Sequence, residues 1–130
     1  MAIELYLVKL LVGDEGTPGA PLLHLSLAVD APTGTITGQA EITQAIPPPE
    51  GDIRINDLRG TIEVLPLRPH PMRIVSLTGT FVHYLPPPQI GQVTEKFSAT
   101  LLIGEGDWEG FGTFVYGRHK VGPVPVHQVE

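Results

Sequence analysis

The sequence predicts a single all-β antiparallel domain of about eight strands, closed as a barrel or packed as a two-sheet sandwich, and three observations carry that expectation. Fifteen glycines and fourteen prolines are spread through 130 residues. Uninterrupted runs of the roughly 10–12 residues that a helix needs are therefore scarce, while the roughly five residues of a strand fit between the breaks. Val, Ile and Thr supply 33 residues, and branched side chains suit a pleated sheet better than a helix. Several segments alternate apolar and polar residues with a period of two. Long strands with glycine in the middle tilt the choice toward a barrel.

Taken in order, residues 3–12 are apolar at nearly every position and read as a strand covered on both faces within the fold, or as one covered on one face by the core and on the other by a partner chain. The glycine-rich stretch 13–19 is a loop. Leu23, Leu25, Leu27 and Val29 alternate with His24, Ser26, Ala28 and Asp30 and predict a strand with one buried face. Ala31-Pro32-Thr33-Gly34 is a turn. Ile36, Gly38, Ala40 and Ile42 then form the inner face of the next strand, and Thr35, Thr37, Gln39, Glu41 and Thr43 its outer face. Pro47-Pro48-Pro49 interrupts pairing. A short segment at Ile53–Ile55 and a strand at 61–65 precede the break at Pro66, Pro69 and Pro71, and one long strand runs from Met72 to Leu85 with a bulge or bend expected at Gly79. Pro86-Pro87-Pro88 ends it. Residues 92–104 carry a helical spacing at Val93, Phe97 and Leu101 and a strand alternation at Phe97, Ala99, Leu101 and Ile103, with the strand favoured by Thr94, Thr100 and Ile103; 104–110 reads as a hairpin loop, 111–116 as the last strand, and residues 121–130, with Pro123 and Pro125, as a loose extended tail.

Two regularities have plain explanations. Gly-Thr followed by Ile or Phe occurs at Gly34, Gly60, Gly79 and Gly112, as strand entries do. A shift of 39 residues places the first proline triplet on the second and Ile36, Leu58 and Ile62 on Val75, Phe97 and Leu101. An internal duplication would produce this, and so would two stretches of ordinary alternating β sequence.

Composition excludes several classes of function. Leu, Ile, Val and Phe make up 41 residues, too many for a disordered chain. The net charge is −6 and no run of Lys or Arg is present; Arg54, Arg59, Arg68 and Arg73 read as solvated edge charges, so no nucleic-acid partner is expected. No cysteine is present, which removes disulfides, thiolate nucleophiles and Cys-based zinc sites and suits a reducing, cytoplasmic compartment. The amino-terminal apolar run contains Glu4 and Lys9 and lacks a basic flank, and no stretch reaches the ~20 apolar residues of a membrane helix, so no membrane association is expected. Ser26, Ser76 and Ser98 sit in no nucleophile motif, and no phosphate-binding glycine loop opens a helix. His24, His70, His83, His119 and His127 never fall at metal-ligand spacing. No metal and no cofactor are expected.

The loop Glu105-Gly106-Asp107-Trp108-Glu109-Gly110 resembles the first half of a calcium loop, but Tyr116 stands where the closing carboxylate belongs. It reads instead as a solvated hairpin tip. Its Trp108, the single tryptophan, either stacks on a sugar ring or partner surface or folds back over the barrel end. Tyr84 and Tyr116, at strand ends, are placed on the same rim.

The opening Leu-Val-Lys-Leu-Leu-Val-Gly, the stretch Gly-Gln-Ala-Glu-Ile-Thr-Gln-Ala with its prolines, Leu77-Thr78-Gly79-Thr80-Phe81, and Asp107-Trp108-Glu109-Gly110-Phe111-Gly112 together make the chain resemble a family of small bacterial β proteins with no assigned function. The resemblance spans nearly the whole chain and implies a stand-alone bacterial domain. It carries over no catalytic residue.

Three readings of function follow. The first is a non-catalytic binding module for a small molecule or glycan at a rim formed by Glu105, Asp107, Trp108, Glu109 and Tyr116, oligomeric through residues 3–12. The second is a small cofactor-free isomerase, cyclase or hydrolase with His24, His83 or Glu41 in a barrel cavity. The third is a structural or interaction protein working through the apolar first strand.

Overall fold

The computed structural model describes residues 5–44, 52–84, 89–104 and 106–129. The proline triplets and Glu105 lie outside the described residues. Eight strands, β1 (Leu5–Val12), β2 (Leu22–Asp30), β3 (Thr35–Thr43), β4 (Asp52–Leu65), β5 (Met72–Tyr84), β6 (Gln92–Gly104), β7 (Gly110–Tyr116) and β8 (His119–Val129), run up and down in chain order with every neighbouring pair antiparallel. β8 returns to pair with β1, from Lys9 opposite Val129 to Val12 opposite Val126, and closes the barrel. No helix occurs among the described residues.

Alternation decides which side chains enter. Val8, Leu10 and Val12 of β1, Leu23, Leu25, Leu27 and Val29 of β2, Ile36 and Ile42 of β3, Ile55 and Leu58 of β4, Val75, Leu77 and Phe81 of β5, Phe97, Leu101 and Ile103 of β6, Phe114 of β7 and Val126 of β8 form one buried cluster. No polar or charged side chain is buried among the described residues. An eight-stranded barrel is just wide enough for side chains to fill it, and this one is filled. One outward row is polar: Thr35, Thr61, Ser76, Thr100 and Thr113 stand directly opposite one another across β3 to β7. No helix of the described residues is long and apolar enough to cross a membrane.

Three expectations need correction. Residues 121–129 are no loose tail but most of β8, paired with both β7 and β1. Its prolines are tolerated because Pro123 sits in a bulge, where Gly122 and Pro123 oppose Thr113, and because the Pro125 carbonyl still accepts the Gly13 N–H at 2.9 Å. The segments at Ile53–Ile55 and 61–65 are one 14-residue strand. The expected irregularity at Gly79 falls mainly on β4: Asn56 and Asp57 bulge opposite Gln39, the β4–β5 ladder ends at Arg59 opposite Thr78, and β5 pairs with β6 straight through Gly79. The Asp57 carboxylate fills the gap by accepting the Thr80 N–H at 2.8 Å and the Thr80 hydroxyl at 2.6 Å.

Candidate functional site

The residues expected on one rim are divided between the two ends of the barrel. Asp107, Trp108 and Glu109 lie in the β6–β7 loop, whereas Tyr116 lies at the far end of β7, seven residues long and so about 20 Å away. Trp108 is only 8% exposed and belongs to the core cluster. Tyr6 meets its ring edge-on at a centroid distance of 6.2 Å, and the Arg73 guanidinium lies over it at 4.7 Å. Arg73 also donates from Nε to the Gly104 carbonyl at 2.9 Å and from Nη2 to the Asp107 carbonyl at 2.6 Å. One arginine thus ties down both arms of the hairpin loop and presses the indole over the barrel mouth. The Asp107 side chain turns back toward its own loop, accepting the Glu109 N–H at 3.4 Å. No cluster of three or more His, Asp or Glu suited to a metal occurs among the described residues. At the other end Tyr116 stacks between Phe114 and His119, with centroids at 6.0 and 5.0 Å, and burial pushes its phenol pKa above the ordinary value.

Two of the three residues assigned to a barrel cavity lie elsewhere. His24 and Glu41 are on the outer face, because Leu23, Leu25, Ala40 and Ile42 take the inner one. His83 stands opposite Val93 in β5. Among the described residues the interior is packed with Leu, Ile, Val and Phe side chains.

The outer face nevertheless gathers polar groups. The turn after β2 is closed by the Gly34 N–H donating to the Asp30 carbonyl at 2.9 Å, with Gly34 at φ +69°, a conformation that favours glycine. This turn sets Asp30 opposite Thr35 and, continuing along the hairpin, Ser26 opposite Gln39 and His24 opposite Glu41. β4 extends the row by placing Arg54 opposite Glu41. Gly38 permits the close approach here: a Cβ on it would lie 2.2 Å from the Ser26 carbonyl oxygen. His24, Ser26, Gln39, Ala40, Glu41, Arg54 and Asn56 line a cleft of roughly 240 Å³. Arg54 Nε stands 3.5 Å from Glu41 Oε2, and His24 Nε2 is 2.9 Å from the Thr43 hydroxyl. Both charged groups are solvated, so the pair itself adds little stability, and most of its hydrogen-bonding capacity stays available to a ligand. The cleft offers donors from Arg54, Gln39, Asn56 and Ser26 and acceptors from Glu41, Gln39, Asn56 and Ser26.

A family model for a domain of unknown function (DUF1842) matches residues 3–120. The chain belongs to this family. The DUF1842 match takes in β1 through β7, the whole of the outer cleft and the Arg73–Trp108 closure, and it ends just inside β8. It meets the resemblance to an uncharacterised family expected from the sequence. No curated protein matches the chain.

The sequence places Arg54 among solvated edge charges and Ser26 and Gln39 on outer strand faces, and assigns none of these three, nor Asn56, to a site. The signal for two of them was present: positions equidistant from the Ala31–Gly34 turn must face each other, which pairs Ser26 with Gln39 and His24 with Glu41.

Proposed function

We propose that the protein is a non-catalytic binding domain whose outer face on β2, β3 and β4 holds a small, uncharged, hydroxyl-rich molecule such as a monosaccharide. The observation that carries this reading is the convergence of six polar side chains from three adjacent strands on one concavity. Its volume of roughly 240 Å³ falls below the ~300–1,000 Å³ of most small-molecule sites, which suits a single sugar-sized ring rather than a nucleotide. Opposite charges 3.5 Å apart on Glu41 and Arg54 leave no net charge to select an ion. Planar amide, guanidinium and carboxylate groups can each accept or donate in pairs to vicinal hydroxyls. The reading is non-catalytic because the cleft is open to water, whereas chemistry on such ligands calls for a reacting group shielded from solvent.

A thermal-shift screen with neutral monosaccharides, linear polyols and the corresponding uronates tests it. A neutral ligand at one hundred times its dissociation constant adds about 2.7 kcal/mol, or about 10 °C for a chain of this length. That shift is expected to vanish in Glu41→Gln and Arg54→Ala. A panel without any shift, or a shift that survives in both variants, overturns the reading.

A further inference from the structure

The outer face of β1 is the most apolar outward stretch of any strand. Leu5 and Leu7 both point away from the core, 58% and 81% exposed, and Ala28 of β2 stands directly beside Leu7. This small greasy strip is bracketed by opposite charges: Lys9 follows Leu7 on the outer face of β1, and Asp30 stands opposite Leu5 at the other end. Among the described residues neither Lys9 nor Asp30 takes part in an ion pair.

We infer that this face docks onto the same face of a second copy of the chain, around a two-fold axis that crosses β1 at Leu7 perpendicular to the strand. The argument is self-complementarity. Such an axis lays one β1 antiparallel over the other, Leu7 against Leu7, and exchanges the positions of residues 5 and 9. Asp30 lies one strand over from Leu5, so in the partner it lands one strand over from Lys9, a lateral offset of about 4.8 Å that a flexible lysine side chain spans. The operation makes two identical Lys9–Asp30 pairs flanking an apolar centre, the arrangement that an isologous interface requires. A second outward apolar row, Ile74, Leu102, Phe111 and Pro125 side by side across β5 to β8, has Thr100 and Thr113 beside it and Glu63 at one end, with no pair of opposite charges to set an orientation. The β1 face on a convex barrel is small beside the ~800 Å² per partner of a standard interface, so the association is weak and the charges decide its geometry.

Sedimentation over a wide concentration range, at low and at high salt, tests the inference. The wild type should show a concentration-dependent dimer that weakens with salt. Leu7→Glu should raise the dissociation constant at least about tenfold. Lys9→Glu and Asp30→Lys should each weaken the dimer, and the double exchange should restore it; these solvent-facing variants keep the test independent of how the Leu7 variant folds. Phe111→Ser should leave association unchanged. A wild type that stays monomeric at every concentration, a dimer indifferent to Leu7→Glu, a double exchange that fails to restore, or a dimer lost in Phe111→Ser would each overturn the inference.

Discussion

Replacing Asp57 tests how the barrel tolerates the place where β4 and β5 stop pairing. The bulge at Asn56 and Asp57 turns the Asp57 carboxylate toward β5, where it accepts two hydrogen bonds from Thr80, at 2.8 and 2.6 Å. Charge-assisted bonds contribute about 1.5–3 kcal/mol each when shielded, but Asp57 is exposed and water can replace much of each bond. About 1–2 kcal/mol in total is therefore expected to be lost in Asp57→Ala. At roughly 2 cal/mol/K of unfolding entropy per residue over 130 residues, that loss lowers the melting temperature by about 4–7 °C. The same bonds, the side-chain hydroxyl first, hold the Asp57 pKa below its ordinary value of 3.8. A depressed acid pKa in the folded state means that the contribution is fully present above the unfolded value and disappears as pH falls through the folded one. Asp57→Asn keeps the shape and one acceptor but cannot titrate. The melting temperature of wild type should exceed that of Asp57→Asn at neutral pH, and the gap should close as pH drops below about 4. Circular dichroism melts across that range measure it. Equal stability of Asp57→Ala and wild type at neutral pH, or a gap that persists undiminished in acid, would refute the account of this bulge.

Three further outcomes follow from the packing. Phe114 is fully buried, so Phe114→Ala should cost about 3–5 kcal/mol in urea unfolding, while Phe111→Ala on the outer face should change stability by no more than about 0.5 kcal/mol. A Cβ on Gly60 would lie 1.8 Å from the Ser76 carbonyl oxygen; Gly60→Ala should therefore destabilise by about 3 kcal/mol or more, although strand propensity alone favours Ala over Gly. Arg73→Lys cannot both serve two carbonyls and stack flat on the indole; it should cost about 1–3 kcal/mol and shift the fluorescence of the single tryptophan to the red as water reaches Trp108, with unchanged emission counting against the closure described for this barrel end.

Local pattern made the strands legible because period-two alternation is a property of neighbouring residues. β2, β3 and their turn could be read to the residue, and that hairpin symmetry already paired His24 with Glu41. What could not be read depends on distant partners. Whether Gly79 or Asn56 and Asp57 would take the irregularity was decided by which strand had to bend to close the barrel. Pro123 and Pro125 argued against a strand, yet β1 needed a second neighbour and β8 was the segment left to supply it. Trp108 stood in a polar loop, and only the folded chain brings Arg73, 35 positions earlier, over its ring. The 39-residue shift is instructive in the same way. It preserves the inner face because it advances the chain by two strands, but Gly38 faces Leu58 whereas its counterpart Leu77 faces Ala99, so the two hairpins differ in register by two residues. Faces follow from local alternation and register does not.

A filled barrel leaves binding to its outer face and its ends, and the outer face places the two proposed surfaces side by side. Ser26 lines the polar cleft and is also the register partner of Lys9; His24 is the partner of Leu11. In the two-fold contact the partner's Asp30 lands over Ser26, adding a carboxylate at the edge of the cleft. That carboxylate accepts hydrogen bonds from hydroxyls and repels acids, so a dimer should bind a neutral polyol more tightly than a monomer does and reject a uronate more strongly. Linkage makes the effect reciprocal: the factor by which association raises ligand affinity is the factor by which ligand strengthens the dimer. Measuring both in wild type and in Lys9→Glu decides whether the cleft is complete within one chain. Ligand affinity that is the same in the monomeric variant and the dimeric wild type means that one chain supplies every contact; a matched change in both constants means that the second copy supplies part of the site.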